Sequence, residues 1–79
     1  MLYYYTTFEE ILQEDEIGQY TTHGIRAVYT SDRATVVSSV SDVSVDYDEA
    51  KKIADMCNEL ELEPVHLLDV VEDMISRDI

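Results

Sequence analysis

At Asp46 the apolar pattern of this chain changes period, from two residues to about 3.6, and that switch limits the folds open to it. Before it, β-branched and aromatic residues dominate in three runs: Tyr3–Phe8, Tyr20–Thr30 and Thr35–Val45. Gln13 to Gly18 separates the first two runs and reads as a hairpin loop, with a glycine suited to positive φ. In the second run Ile25, Ala27 and Tyr29 point one way, Arg26 and Val28 the other. Ser31-Asp32-Arg33 reads as a turn whose side chains bond their own backbone. Val43 and Val45 alternate, but Val37 and Val40 are three apart. One long strand with a bulge around Ser38–Ser41 is predicted, against the alternative of two short strands.

After the switch, Asp46 and Glu49 form a D-x-x-E start, the aspartate capping free amides and the glutamate reaching back. Ala50, Ile53, Ala54, Cys57 and Leu60 then fall on one helical face. Glu61–Glu63 is a short connection, and Pro64 suits the first turn of a second helix. There Leu67, Leu68, Val71, Met74 and Ile75 make the apolar stripe. Two helices joined so closely should fold back as an antiparallel hairpin. The predicted fold is a two-layer α+β domain in the order βββαα. Its antiparallel sheet of about three strands is covered on one face by the C-terminal helical hairpin.

Seventy-nine residues allow one domain, spanning 1–79, with a sheet half over 1–45 and a helical half over 46–79. Pairing two copies would bury surface that so small a monomer leaves exposed, so a homodimer is one option. Cys57 is the single cysteine, so no internal disulfide is available and a reducing setting is expected. No apolar run nears the ~20 residues of a membrane span, and the N-terminus lacks a signal-peptide pattern. The expected location is the cytoplasm.

The net charge is −13, and it is uneven. From residue 46 onward eleven acids face Lys51, Lys52 and Arg77, a net −8 over 34 residues. Such a surface repels nucleic acid and anionic membrane and attracts basic protein. Direct nucleic-acid binding is disfavoured, because five scattered basic residues cannot neutralise several phosphates.

Specific chemistry is poorly marked. Cys57 lies on the apolar stripe, and neighbouring carboxylates would raise its pKa, the wrong direction for a nucleophile. His66, three residues before Asp69, reads as a first-turn histidine bonded to a neighbouring acid. Gly24, beside His23 in mid-strand, reads as a bulge or a close backbone approach. Glu14-Asp15-Glu16 and Glu59/Glu61/Glu63 lack the ligand spacing of a calcium loop. With two glycines in the chain, no phosphate-cradling loop is available, and no zinc or dinucleotide motif occurs. No enzyme, metal or cofactor is expected.

Asp42-Val43-Ser44-Val45-Asp46, the helix ending Cys57-Asn58-Glu59-Leu60, and Glu63-Pro64-Val65-His66-Leu67-Leu68-Asp69-Val70-Val71-Glu72-Asp73 together resemble a family of small clostridial and related Gram-positive proteins. That family is catalogued as a domain of unknown function. Thr22-His23-Gly24-Ile25 is similar to the family's Thr-Tyr-Gly-Ile segment, with histidine in place of tyrosine. The resemblance runs from about residue 20 and is best over 42–75. It implies a bacterial or phage source, the same strand–helix order, and His66, Asp69, Glu72 and Asp73 on exposed helix turns.

The leading expectation is a non-enzymatic protein-binding or regulatory module that presents an acidic helical face to a basic partner. Its sharper form is an inhibitor that mimics nucleic acid on a nucleic-acid-binding protein, of the anti-defence type found in phage and mobile elements. The contact residues would be Glu59, Glu61, Glu63, His66, Asp69, Glu72 and Asp73. The alternative is a small-molecule or peptide sensor with a pocket between sheet and helices.

Overall fold

The computed structural model describes residues 2–77. Its elements are β1 (Tyr3–Glu14), β2 (Gly18–Tyr29), β3 (Val36–Ser44), α1 (Tyr47–Glu59), a 3-10 turn (Pro64–His66) and α2 (Leu67–Arg77). The strands form one antiparallel sheet in the order β1-β2-β3. The fold is therefore α+β, in the predicted order βββαα. The predicted helical half runs to residue 79, and residues 78 and 79 lie outside the described residues.

The β1–β2 hairpin is longer than its composition implies. Pairing continues through Leu12↔Tyr20 and Gln13↔Gln19 to Glu14↔Gly18, leaving only residues 15–17 as the turn. Gly18 sits at φ +76°, the left-handed conformation that closes a three-residue hairpin loop. At the other end Asp32 carries the β2–β3 connection as expected. Its carboxylate accepts from the Ala34 N–H at 3.2 Å and from Thr35 Oγ1 at 2.7 Å.

Strand β3 is one continuous strand, as predicted, and irregular at two places, the second of which overlaps the C-terminal end of the predicted Ser38–Ser41 stretch. Between Val36 and Ser38 one extra residue enters opposite Ala27 and Val28. Between Val40 and Ser44 a larger shift places Asp42 at φ +52°. The strand ends at Ser44. Val45 is 65 % exposed, so the expected Val43/Val45 alternation stops after Val43.

Tyr5, Ile25, Ala27 and Val43 of the sheet meet Ile53, Ala54, Cys57, Leu67 and Val71 of the helices in one core. Helix α1 packs chiefly on β1 and β2, and α2 on β3, and each touches the sheet more than the other helix. The helical pair is thus held together mainly through the sheet. Two residues of the predicted apolar stripes are solvent-facing: Leu60 is 62 % exposed and Leu68 52 %. Leu60 is the C-cap, where the chain leaves the helical path. The 3-10 turn before α2 rotates its phase, so Val70 packs against the core instead of Leu68.

Asp46 caps α1 by accepting the Asp48 N–H at 3.0 Å. The Asp46 N–H, which the capping-box reading assigns to Glu49, donates to Ser44 Oγ at 3.0 Å. His23 spans the same corner. Its Nδ1 lies 3.2 Å from the Ser44 carbonyl oxygen, and its ring meets Tyr47 edge-on at 5.5 Å between centroids. That gives the histidine a structural place, at the join between sheet and helices.

Candidate partner-binding site

The acidic turn between the helices is built by a helix ending and a tyrosine. Leu60 caps α1, and the Leu62 N–H donates to the Cys57 carbonyl at 3.1 Å while the Glu61 N–H donates to that of Asn58 at 3.1 Å. This bond pair is a Schellman ending, with Glu61 at the position that glycine usually fills. Glu61 has φ +48°, a conformation that costs a residue with a Cβ about 1 kcal/mol. Leu62 then drops against the core. From β1, the Tyr5 hydroxyl donates to the Leu62 carbonyl and pins the turn to the sheet.

Glu59, Glu61 and Glu63 all project from this turn into solvent. Glu61 and Glu63 border an open notch of about 310 Å³ whose other walls are Leu2, Tyr3 and Leu62. An apolar wall beside two carboxylates suits the aliphatic stem and charged head of a lysine or arginine. Asp69, Glu72 and Asp73 are exposed on α2, and their spacing puts them on one flank of the helix. His66 is exposed and ends the 3-10 turn instead of opening α2. The expected bond from its ring to a neighbouring acid is not formed among the described residues. The predicted residues are thus all on the surface, in two groups along the chain, at the turn and on α2.

Burial raises the Tyr5 hydroxyl pKa from 10.0 to about 12, and electrostatic interaction with the neighbouring ionisable groups Cys57, Glu63 and Tyr3 adds to the rise. A pKa raised on folding means that the folded state holds this proton more tightly. The associated stability is fully present below pH 10 and is lost as pH rises between about 10 and 12. Urea midpoints measured across that range should fall more steeply for the wild type than for Tyr5→Phe. Parallel curves would show that Tyr5 is not the group responsible. Cys57 is fully buried, and burial raises its pKa, which keeps the thiol neutral. Burial, and not the neighbouring carboxylates, is the cause.

A second polar cluster escaped sequence reasoning because its members are 20 to 32 residues apart. Glu10 of β1 accepts from Ser41 Oγ at 2.8 Å and from the Asp42 N–H at 2.9 Å. Asp42 in turn accepts from Tyr20 at 2.8 Å and from fully buried Thr22 at 2.7 Å. The irregular stretch of β3 is thereby tied back to β1 and β2. Hydrogen bonding to Asp42 is the main cause of a raised Tyr20 pKa. Among the described residues, no three His, Cys, Asp or Glu side chains are grouped so as to hold a metal ion. No helix there is long and apolar enough to cross a membrane.

Residues 1–77 match a family of unknown function, DUF6514. The chain belongs to that family. The match takes in β1, which lies before the segment where the resemblance is visible by eye. No curated protein and no solved structure matches the chain. What a DUF6514 member does has therefore to be argued from this surface itself.

Proposed function

We propose that the protein is a non-catalytic binding module of the cytoplasm that presents the acidic turn and the outer flank of α2 to a basic protein surface. The observation that carries this reading is Glu61. It occupies a left-handed position where glycine would be less strained, and its carboxylate borders a notch suited to a lysine or arginine side chain. Strain kept at an exposed charged residue favours a role for that charge over simple solubility. The sharper form, in which Glu59, Glu61, Glu63, Asp69, Glu72 and Asp73 stand in for phosphates on a nucleic-acid-binding protein of a bacterial or phage system, is one way such a surface could act.

Two variants test the reading. Glu61→Gly should raise stability by about 1 kcal/mol in urea denaturation while weakening binding to a lysine- and arginine-rich peptide. Charge reversal of Asp69, Glu72 and Asp73 to lysine should abolish that binding with the fold intact by circular dichroism. Wild-type affinity should fall steeply as salt rises, because the contact is dominated by charge. Unchanged affinity in both variants would defeat the acidic-surface reading.

The sensor alternative receives less support from the cavities. An open groove of about 510 Å³ has Ile53, Met56 and Met74 among its lining and Asp46, Asp48 and Glu49 beside them. It runs between the helices, and no sheet residue lines it.

A further inference from the structure

Helices α1 and α2 each pack on the sheet and touch one another little, so the seam between them is left unfilled. The seam is the open groove of about 510 Å³, within the range of sites that hold a ligand or a partner's side chains. Its apolar lining is Ile53, Met56 and Met74. Ile53 is buried, but both methionines are only half-buried, so part of each thioether chain stays open to solvent. Methionine is unbranched and polarizable, and it adapts its shape to what it meets.

The same groove is lined by Asp46, Asp48 and Glu49, with Lys52 as the one cation beside them. Three carboxylates against one ammonium outweigh the charge of about +0.5 at the α1 N-terminus. Acids in a first turn ordinarily serve their own helix, and Asp46 does so as the cap. Glu49 does not complete a capping box, because the Asp46 N–H donates to Ser44 Oγ. Among the described residues, neither the Asp48 nor the Glu49 carboxylate makes a hydrogen bond or an ion pair. Both are therefore available to a cation that enters the groove.

We infer that this groove binds a short amphipathic helix of a partner protein, with two large apolar side chains against Met56 and Met74 and a lysine or arginine at Asp48 and Glu49. Charge complementarity selects a basic occupant, and the thioether walls select one that also carries apolar anchors. A second copy of this chain, at net −13, is opposed by its own charge. Glu49, Ile53 and Met56 run i, i+4 and i+7 along one flank of α1, a length of about 10 Å at ~1.5 Å per residue. A partner helix lying along the seam repeats that spacing on its own inward face. The groove is separate from the acidic turn, since Glu61 follows the C-terminal end of α1 and the groove begins at its N-cap.

The test uses the full chain and fluorescent helical peptides of one composition, with leucines at i and i+3 and a lysine either at i+7 or, on the far face, at i+5. The i+7 peptide should bind at least about fivefold more tightly by anisotropy. At saturation it should shift the methyl resonances of Met56 and Met74, assigned with Met56→Leu and Met74→Leu. The pair Asp48→Asn with Glu49→Gln keeps side-chain size and should weaken binding about tenfold, with the fold intact by circular dichroism. Equal affinity for the two peptides, unmoved methyl resonances, or unchanged affinity in the double variant would overturn the inference. So would methyl shifts that follow chain concentration alone, which would give the seam to a second copy, or hexylamine binding as tightly as the i+7 peptide, which would mark a small-molecule pocket. Glu61→Gly should bind the i+7 peptide as wild type does, so failure at the groove and failure of the acidic-turn reading are told apart.

Discussion

Gly24→Ala is expected to destabilise the fold by about 3 kcal/mol, a large share of the ~4–12 kcal/mol available to a domain of this length. A Cβ at this position would lie 2.6 Å from the Val40 carbonyl oxygen and 2.7 Å from Phe8 Cε1, and nearer still to Phe8 Cζ. The ring has some freedom to turn aside. The carbonyl does not, because Val40 is held in register against Ile25. Any shift of the ring also removes the platform under Arg26. Gly24→Val should therefore prevent folding altogether. A urea titration of Gly24→Ala alone and in a Phe8→Leu background would separate the two contacts: relief by Phe8→Leu assigns the loss to the ring, and its absence to the carbonyl. A midpoint within experimental error of wild type would show that β2 and β3 part easily here.

Asn58→Ala should cost a similar amount by a different route. From helix α1, Asn58 Oδ1 accepts the Tyr5 N–H at 2.7 Å and its Nδ2 donates to the Tyr5 carbonyl at 2.9 Å. One side-chain amide thus serves β1 as a neighbouring strand would. Tyr5 is 1 % exposed, so truncation leaves a buried donor and a buried acceptor unpaired. At roughly 1–3 kcal/mol per group the loss is about 3 kcal/mol. Asn58→Asp keeps the acceptor but presents a second acceptor to the Tyr5 carbonyl, so it should not rescue. The Tyr5 amide should also exchange with deuterium much faster in Asn58→Ala. Protection equal to wild type would mean that another group has replaced the clamp.

These two residues also mark what the sequence allows a reader to see. The period switch at Asp46, the cap it provides, the glycine at residue 18 and the Asp32 turn are all local, set by neighbours within a few positions. Gly24 was readable as a close approach, but not what approaches it, because Phe8 and Val40 lie 16 residues away on either side. Asn58 carried no signal: an asparagine near a helix end is unremarkable until Tyr5, 53 residues earlier, is placed beside it. Leu60 and Leu68 were misassigned because helical phase was extended through a C-cap and across a 3-10 turn, where it does not hold. The acidic residues were legible as exposed, since charge at those positions has nowhere else to go. The stacking of Arg26 on Phe8 and of Arg33 on Tyr4 was not, because it depends on the register between β1 and β2 and on the path of the loop that carries Arg33.

The Asn58 clamp has a consequence beyond the strength of one domain. A three-stranded sheet has two free edges, and each exposes backbone groups able to recruit another chain. On β1 the outward N–H and C=O of Tyr5 are taken by a side chain, so an incoming strand finds its template interrupted there. On β3 the two irregularities and the left-handed Asp42 break the straight ladder a newcomer would need. A small protein with long strands and exposed valines thereby protects itself against aggregation by edge-to-edge growth.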